Sequence, residues 1–349
     1  MVVDEVREAV RRGGLLAQGR PIVAMLSGGR DSTCLLDVAV ALCGPTDLSA
    51  LHVNYGLRER ADAEQDHCVA LCRALTVELE VVHAGDGAGG EAASRGGNMQ
   101  AWARELRYAA AERTARARDA LIATGHTASD QVETILYRLA ASPGRRALLG
   151  MVAGEPAGVA PAEHQAGAGG AAGPDDRSDT APAGVGARLI RPLLGVTRAQ
   201  TAAYCEARGL RWCEDESNRD VQYARTRVRH GLLAALRAVH PAAEANVLRT
   251  AALLREETEL LDGLVEEALQ GRRSISIVRL AEMPTALARM VVVRLAEDAA
   301  GTYVPQAGER VPEILALGAR GGRAELHVGG RAGAVIEDGV LAMVKLPPR

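Results

Sequence analysis

The stretch Ser27-Gly28-Gly29-Arg30-Asp31-Ser32 decides the fold that this sequence predicts. It follows an apolar run at 21–26 and precedes an apolar-periodic segment at 33–42, as expected for a strand, a tight turn and a helix. Backbone N–H groups are unpaired at a helix start and the helix dipole is positive there, so the turn is predicted to bind an anion. Gly28 and Gly29 lack a Cβ, which lets the main chain bend sharply and approach a phosphate.

Other residues of this turn also carry chemistry. Ser27 and Ser32 are hydroxyl donors, and Asp31 is placed to hold a metal ion bound to phosphates. The turn is not a Walker A loop, because no Gly-Lys-Ser/Thr follows, and it is not a Gly-x-Gly-x-x-Gly dinucleotide motif. The alternative interpretation is an ordinary strand–turn–helix connection with a Ser or Asp N-cap.

The composition describes a soluble globular chain of two or three domains. Its 349 residues are 48% hydrophobic and 24% charged, and no apolar run approaches the length of a membrane span or a leader peptide. We therefore expect a cytoplasmic protein with no membrane partner. The net charge is −3, yet 188–255 carries 12 arginines against six acidic residues, so a local basic surface is expected. The six cysteines form no Cys-x-x-Cys pair, and most are predicted to be small buried apolar residues.

Strand and helix patterns alternate over the first part of the chain. The predicted strands are 21–26, 48–53, 77–82 and 120–124, and the predicted helices are 31–43, 60–75, 97–118 and 128–141. This order predicts an α/β fold, with a parallel sheet covered by helices on both faces and ligands at the carboxyl ends of the strands.

Composition shifts divide the chain further. The α/β domain is predicted to occupy 1–152 and to end with 188–220, interrupted by a low-complexity insertion at 153–187 that is rich in Gly, Ala and Pro and is expected to be disordered. A helical domain is predicted at 221–320 and a small β segment at 321–349.

Three polar groups follow the predicted strands or helices. Arg104 and Arg107 share a helix face. They are placed to bind phosphates, and the alternative is a solvated arginine face. In Gly125–Thr134, His126, Asp130 and Glu133 gather at a helix start, where Asp130 suits magnesium or proton transfer, or forms a capping box with Thr127. The third group contains acidic and turn-forming residues followed by arginines one helical turn apart; its members are Asp215, Asn218, Arg225 and Arg229.

These motifs resemble a known family. The turn at 27–32 is similar to the pyrophosphate-binding PP-loop of N-type ATP pyrophosphatases. With the later blocks, in the same order, the chain resembles the tRNA(Ile)-lysidine synthetase family. The matching blocks are 27–32, 98–108, 126–134, 191–198, 214–218 and 223–233.

The resemblance implies the chemistry. ATP with Mg²⁺ would bind at Ser27, Gly28, Gly29, Arg30, Asp31 and Ser32, with Asp31 and Asp130 as metal ligands. The enzyme would adenylate C2 of the wobble cytidine in a CAU-anticodon tRNA(Ile), and L-lysine would displace AMP. The implied catalytic residues are Asp31, Asp130, His126, Arg104 and Arg107; the implied substrate or tRNA contacts, partly in a tRNA-contacting domain at 221–320, are Glu133, Arg191, Asp215, Asn218, Arg225 and Arg229.

Two departures keep alternatives open. Ser129 stands where the family commonly has an acid, and 141–144 is less glycine-rich than usual. The alternatives are another PP-loop tRNA-modifying enzyme such as a thiolase, although thiolases usually carry paired cysteines, and a catalytically weakened nucleotide- or tRNA-binding homologue. Small-molecule amidating synthetases fit the loop but not the arginine-rich 188–255. A homodimer is one expectation, and the sequence leaves the oligomeric state open.

Overall fold

The computed structural model describes residues 1–56, 60–84, 99–141, 145–154, 188–214 and 224–347. These residues form two compact units. The described part of the first lies within 1–140, 150–154 and 188–248, and that of the second within 141–149 and 249–347. The division between the units falls inside a long helix, and the domain boundary at 220/221 stays a prediction. The predicted insertion lies outside the described residues from 155 onward.

A five-stranded parallel sheet forms the centre of the first unit, which confirms the predicted fold class. Its strand order is β3-β2-β1-β4-β5. The strands are β1 (Ile22–Met25), β2 (Leu48–Asn54), β3 (Glu78–His83), β4 (Leu121–Ala123) and β5 (Leu189–Ile190). The short strand β5 was not predicted, because two residues show no periodicity.

Both faces of this sheet are buried, which explains the nearly continuous apolar character of its central strands. Successive side chains of a strand point to opposite faces. In β1, Ile22 and Ala24 accordingly join one hydrophobic core, and Val23 joins the other. All seven residues of β2 are buried.

Helices cover the two faces of the sheet. They are α1 (Val2–Arg12), α2 (Arg30–Cys43), α3 (Ala61–Ala74), α4 (Met99–Ala117), α5 (Ala128–Ala141) and α6 (Arg198–Ala207). They are followed by α7 (Ala224–Arg227), a π-helical turn (Val228–Leu232), α8 (Leu233–Val239) and α9 (Ala243–Leu269), which continues into the second unit. Among the described residues, no helix combines the length and apolar character needed to cross a membrane.

The order of the strands determines where a ligand can bind. The chain leaves β1 toward β2 on one side, whereas β4 pairs with β1 on the other side, in the register Ile22 to Leu121 and Ala24 to Ala123. In open parallel sheets, ligands bind at the carboxyl edge where the strand order reverses in this way. The turns after β1 and β4 flank this point and carry 27–32 and 125–130.

The second unit has a core of its own. After a 3₁₀ turn (Arg145–Leu149), it contains β6 (Ser274–Ser276), α10 (Ile277–Glu282), α11 (Thr285–Ala300), a second 3₁₀ turn (Pro305–Arg310), α12 (Val311–Gly318), β7 (Ala324–Gly329), β8 (Ala332–Glu337) and β9 (Val340–Lys345). The sheet is antiparallel in the order β6-β9-β8-β7. Leu280, Val292, Ile314 and Ile336 pack in one cluster, so the helices and the sheet of this unit share a core.

Candidate active site at the switch point of the sheet

The turn after β1 is closed by its own serines. The hydroxyl oxygens of Ser27 and Ser32 lie 3.0 Å apart, and Ser32 Oγ also accepts from the N–H of Ser27 at 3.2 Å and donates to the carbonyl of Gly29 at 2.9 Å. Gly29 is the N-cap of α2, and Asp31 lies in the first turn of that helix. The structure thus has the strand–turn–helix geometry that suits an anion.

Two features of the backbone favour glycine at position 28. Its φ is +79°, a left-handed conformation that costs an L side chain about 1–2 kcal/mol. A Cβ there would also lie 3.3 Å from the sulfur of Cys68 and 3.8 Å from that of Cys213. Cys68 and Cys213 therefore pack against the turn, and this contact fixes its orientation at the edge of the sheet.

Gly125 brings the second turn against the first. A Cβ at this position would lie 3.0 Å from the carbonyl carbon of Asp31 and 3.0 Å from the nitrogen of Ser32. The turn after β4 consequently contacts the start of α2 through backbone alone. Gly125 is not among the predicted site residues, although a glycine directly between a predicted strand and His126 is a sequence signal for such a close approach.

We expect Gly125→Ala to displace the 27–32 turn, because the new methyl group meets rigid backbone rather than a flexible side chain. Overpacking of this kind costs about 1–3 kcal/mol. ATP affinity, measured by equilibrium dialysis, should fall by about tenfold or more. Gly195→Ala is the matched control, since a Cβ there meets nothing within 4 Å. Equal ATP affinity in both variants would contradict the close-approach argument.

Asp130 forms the capping interaction that is one of the two roles predicted for it. Its Oδ2 accepts from the N–H of Thr127 at 2.8 Å and from the hydroxyl of Thr127 at 2.6 Å, which confirms the capping interaction. Its Oδ1 faces the other way and accepts from the guanidinium of Arg198 at 2.5 Å and from that of Arg225 at 3.1 Å. The cap orients the carboxylate, and the second oxygen is left for electrostatic contacts.

Asp130 and Glu133 are surrounded by three guanidinium groups. Glu133 accepts from Arg198 Nη1 at 2.9 Å, from Arg225 Nε at 3.1 Å, and from Nε and Nη2 of Arg229 at 2.7 and 3.0 Å. Its side chain is fully buried. We call these five residues the arginine–carboxylate cluster. They come from α5, α6, α7 and the π-helical turn.

Apolar packing holds the arginines in place. Val228 and Leu233, in and after the π-helical turn, pack against Val132 and Leu136 of α5 in one buried cluster. This contact sets the short helices over the first turns of α5, where Asp130 and Glu133 lie. The spacing of Arg225 and Arg229 was predicted, but the carboxylates that they contact were not.

Arg198 links the two turns, and the sequence did not identify it as a site residue. Its Nε lies 3.5 Å from Asp31 Oδ2, while its Nη groups bind the cluster carboxylates. Ser129 Oγ accepts from the backbone N–H of Arg198 at 3.2 Å. On the same helix, Thr201 donates to Asp31 Oδ1 at 2.5 Å. Thr197 is the N-cap of this helix, so Arg198 lies in its first turn.

The cluster carboxylates are ionised. Burial by itself would raise the pKa of Asp130, but the charges of Arg225 and Arg198 hold that pKa well below its usual value. Burial opposes the same effect at Glu133, where the hydrogen bonds of Arg229 and the charge of Arg198 keep the pKa lowered. Two buried negative charges are thus in contact with three positive ones.

The other predicted catalytic residues have different surroundings. His126 Nδ1 lies 2.8 Å from the hydroxyl of Thr124, and the charge of His126 helps to lower the pKa of Asp130. The guanidinium carbon of Arg104 lies 4.7 Å from the ring centroid of Tyr108. Arg107 acts electrostatically on Tyr55, whose ring meets Trp102 edge-on.

Two groups of predicted substrate contacts remain to be placed. Arg191 is buried, and its Nη1 donates to the carbonyl of Val152 at 2.6 Å, which ties β5 to the preceding segment. Asp215 and Asn218 lie outside the described residues, so their roles stay predictions.

Asp31 has the better surroundings for a magnesium ion. Its carboxylate is about a quarter exposed at the mouth of the turn, and hard oxygen ligands from one or two carboxylates, together with phosphates, suit Mg²⁺. Both oxygens of Asp130 already accept hydrogen bonds. No group of three or more metal-binding side chains is found in the described ranges. Among them all six cysteines are free and five are buried, as predicted for most of them.

Comparisons with known proteins identify relatives of this chain. The PP-loop domain family matches residues 4–236. A tRNA(Ile)-lysidine synthase of Pseudomonas fluorescens is 40% identical over 243 residues, covering 69% of this chain and 47% of that protein. Another, of Gloeobacter violaceus, is 34% identical over 289 residues, covering 80% of this chain and 78% of that protein. The chain spans about half the length of most of the curated relatives it matches.

A solved structure shares the fold at low sequence identity. It is a U34-tRNA thiolase of Methanococcus maripaludis, with a TM-score of 0.55 and 17% identity, covering 73% of this chain and 79% of that one. At this identity the likeness concerns the fold alone.

Proposed function

The chain belongs to the tRNA(Ile)-lysidine synthase family of PP-loop proteins, and on that premise we propose that it is an ATP-dependent ligase. It joins L-lysine to C2 of the wobble cytidine in a CAU-anticodon tRNA(Ile), and releases AMP and pyrophosphate. One observation carries this proposal. An anion-binding turn and two buried, ionised carboxylates meet at the switch point of a parallel sheet, and Arg198 connects them.

The first step is adenylation of the cytidine. The C2 oxygen attacks the α-phosphorus of ATP, and pyrophosphate leaves. The turn at 27–32 positions the leaving group in line, and its N–H groups offset the developing charge. Asp31 would hold Mg²⁺ against the phosphates, and the ion would add further charge stabilisation. Thr201 keeps the Asp31 carboxylate oriented toward this edge.

The second step is the attack of the lysine amine on C2, which expels AMP. An ammonium group in a buried site needs carboxylates as partners, and Asp130 with Glu133 supplies them. Because the pKa of Asp130 is lowered, this carboxylate is a weak base. We therefore assign it to orienting the amine. Uptake of the proton is assigned to His126 in its neutral form, because a histidine side chain suits proton transfer near neutral pH.

The tRNA would contact the arginine-rich segment that ends the first unit. A phosphate-binding surface makes affinity fall steeply with salt. A thiolase activity is the alternative within PP-loop proteins, but its support is a likeness of fold, and the chain has no Cys-x-x-Cys pair. A tRNA substrate would place the reaction in the cytoplasm.

Pyrophosphate release from ATP tests the function. The assay contains the enzyme, Mg²⁺, L-lysine and a CAU-anticodon tRNA(Ile) transcript, with each component omitted in turn. We expect full turnover only when lysine and that tRNA are both present, and incorporation of labelled lysine into the tRNA. A transcript with uridine at the wobble position is the matched control. ATP binding without turnover would instead favour a binding homologue.

A further inference from the structure

Two expectations for this site cannot hold in one conformation. Arg225 and Arg229 were predicted to bind tRNA phosphates, and Asp130 and Glu133 are the carboxylates proposed for the lysine amine. In the structure the guanidinium groups lie on the carboxylates. While the arginines bind the carboxylates, the guanidinium groups are not available to phosphates and the carboxylates are not available to the lysine amine.

The carboxylates have no acceptor capacity left. An ionised carboxylate offers about four lone-pair positions. Glu133 receives four N–H donors, two on each oxygen, from Arg198, Arg225 and Arg229. Asp130 receives two donors from Thr127, one from Arg198 and one from Arg225. An ammonium group can enter only where one of these donors leaves.

The three arginines differ in how firmly they are held. Arg198 reaches Asp31 as well as both cluster carboxylates, and its helix start is fixed by Ser129. The side chains of Arg225 and Arg229 are 30% and 20% exposed, so solvent-borne phosphates can reach them. Arg229 also belongs to the π-helical turn. Such turns are frequent at functional sites, and conversion to α-helix would redirect a side chain.

We propose that Arg225 and Arg229 determine when lysine binds: they occupy Asp130 and Glu133 until phosphate oxygens take up their guanidinium groups, and the lysine amine then replaces them. This inference rests on the proposed function. After the exchange, the two displaced guanidinium groups lie on phosphates, and Arg198 together with the lysine ammonium faces the two carboxylates. Without the phosphate, lysine must compete with a guanidinium that is already in place.

Binding linkage makes this exchange measurable. If phosphate binding frees the carboxylates, it must tighten lysine binding, and lysine must tighten phosphate binding by the same factor. Couplings between such sites range from about fivefold to about 150-fold. The phosphates can belong to the tRNA or to ATP, and the two sources can be tested separately because neither alone permits turnover.

The experiment is equilibrium dialysis of labelled L-lysine with the full chain. Its arms are protein alone, protein with the tRNA(Ile) transcript, and protein with a non-hydrolysable ATP analogue and Mg²⁺. We expect lysine affinity to rise about tenfold or more in at least one polyanion arm. The arm that produces the rise identifies the source of the phosphate. In the reciprocal measurement, lysine should tighten binding of that polyanion equally.

Single substitutions distinguish the proposed exchange from a general effect of removing one positive charge. Arg225→Gln should bind lysine more tightly than wild type without any polyanion, and should lose most of the coupling. Arg227→Gln is the matched control, because Arg227 is exposed on the same short helix, and it should keep both. Thermal melts establish that each variant is folded, and the wild-type arms test the exchange without any variant.

The outcomes distinguish the two proposals. If wild type binds lysine equally well with and without both polyanions, the exchange is wrong, while lysine-dependent pyrophosphate release still supports the function. If lysine does not bind in any arm and pyrophosphate release needs no lysine, both proposals are wrong.

Discussion

Replacing Asp31 with Ala should reduce lysine-dependent pyrophosphate release by about a thousandfold, the scale on which a single preorganised electrostatic group contributes to catalysis. Asp31 is the one carboxylate of the 27–32 turn, and three side chains converge on it: Thr201 at 2.5 Å, Arg30 at 3.2 Å and Arg198 at 3.5 Å. Its removal deletes the proposed magnesium ligand and frees the link to the arginine–carboxylate cluster. Single-turnover kinetics at saturating ATP measure the loss.

The conservative variant Asp31→Asn tests whether the charge or the shape matters. It retains an oxygen for the Thr201 hydroxyl but no negative charge, so its activity should fall nearly as far and respond weakly to added Mg²⁺. Asp66→Ala, on the exposed face of α3, is the control and should behave as wild type. Activity of Asp31→Ala within tenfold of wild type would exclude Asp31 from the reaction.

Replacing Glu133 with Ala should destabilise the first unit by about 3 kcal/mol, near the lower end for breaking a buried ion pair, because its arginine partners are partly exposed to solvent. Glu133 accepts four of the N–H groups in the cluster. Its loss leaves three guanidinium groups around Asp130 alone. Urea unfolding followed by circular dichroism measures the change, and lysine-dependent turnover should be lost as well.

The pH dependence of stability gives an independent test of the same cluster. The pKa values of Asp130 and Glu133 are lowered by folding, so the unfolded chain binds protons first as the pH falls. Their contribution is complete above the unfolded pKa values of about 4 and is lost progressively at lower pH. Glu133→Gln should flatten this dependence between about pH 5 and pH 3. Glu206→Gln, exposed on α6, should leave it unchanged.

Local patterns in the sequence were enough to identify the elements that build the site. The predicted strand at 120–124 is observed as Leu121–Ala123, and the predicted helix at 128–141 as Ala128–Ala141. The Thr127–Asp130 cap was likewise readable from two residues three positions apart. Each of these features depends on neighbours within one or two turns of chain.

The contacts of the arginines cannot be predicted from local patterns. The spacing of Arg225 and Arg229 predicts a phosphate-binding helix face, which is a sound inference from neighbouring residues. Their partners in the structure are carboxylates on α5, more than ninety residues earlier in the chain. The sequence does not mark Arg198 as a site residue. Only its place beside Asp31, Asp130 and Glu133 distinguishes it from any other arginine at a helix start.

Periodicity, glycines and caps act over short stretches of chain, so the parallel α/β fold and the strand–turn–helix at 27–32 could be predicted from the sequence. The residues that lie next to that turn depend on the tertiary structure. Asp31 meets Thr201 across 170 residues, and Glu133 meets Arg198 across 65. Such pairs are set by how α5, α6 and the short helices pack on the sheet. That packing places two negative charges and three positive charges beside the turn at 27–32.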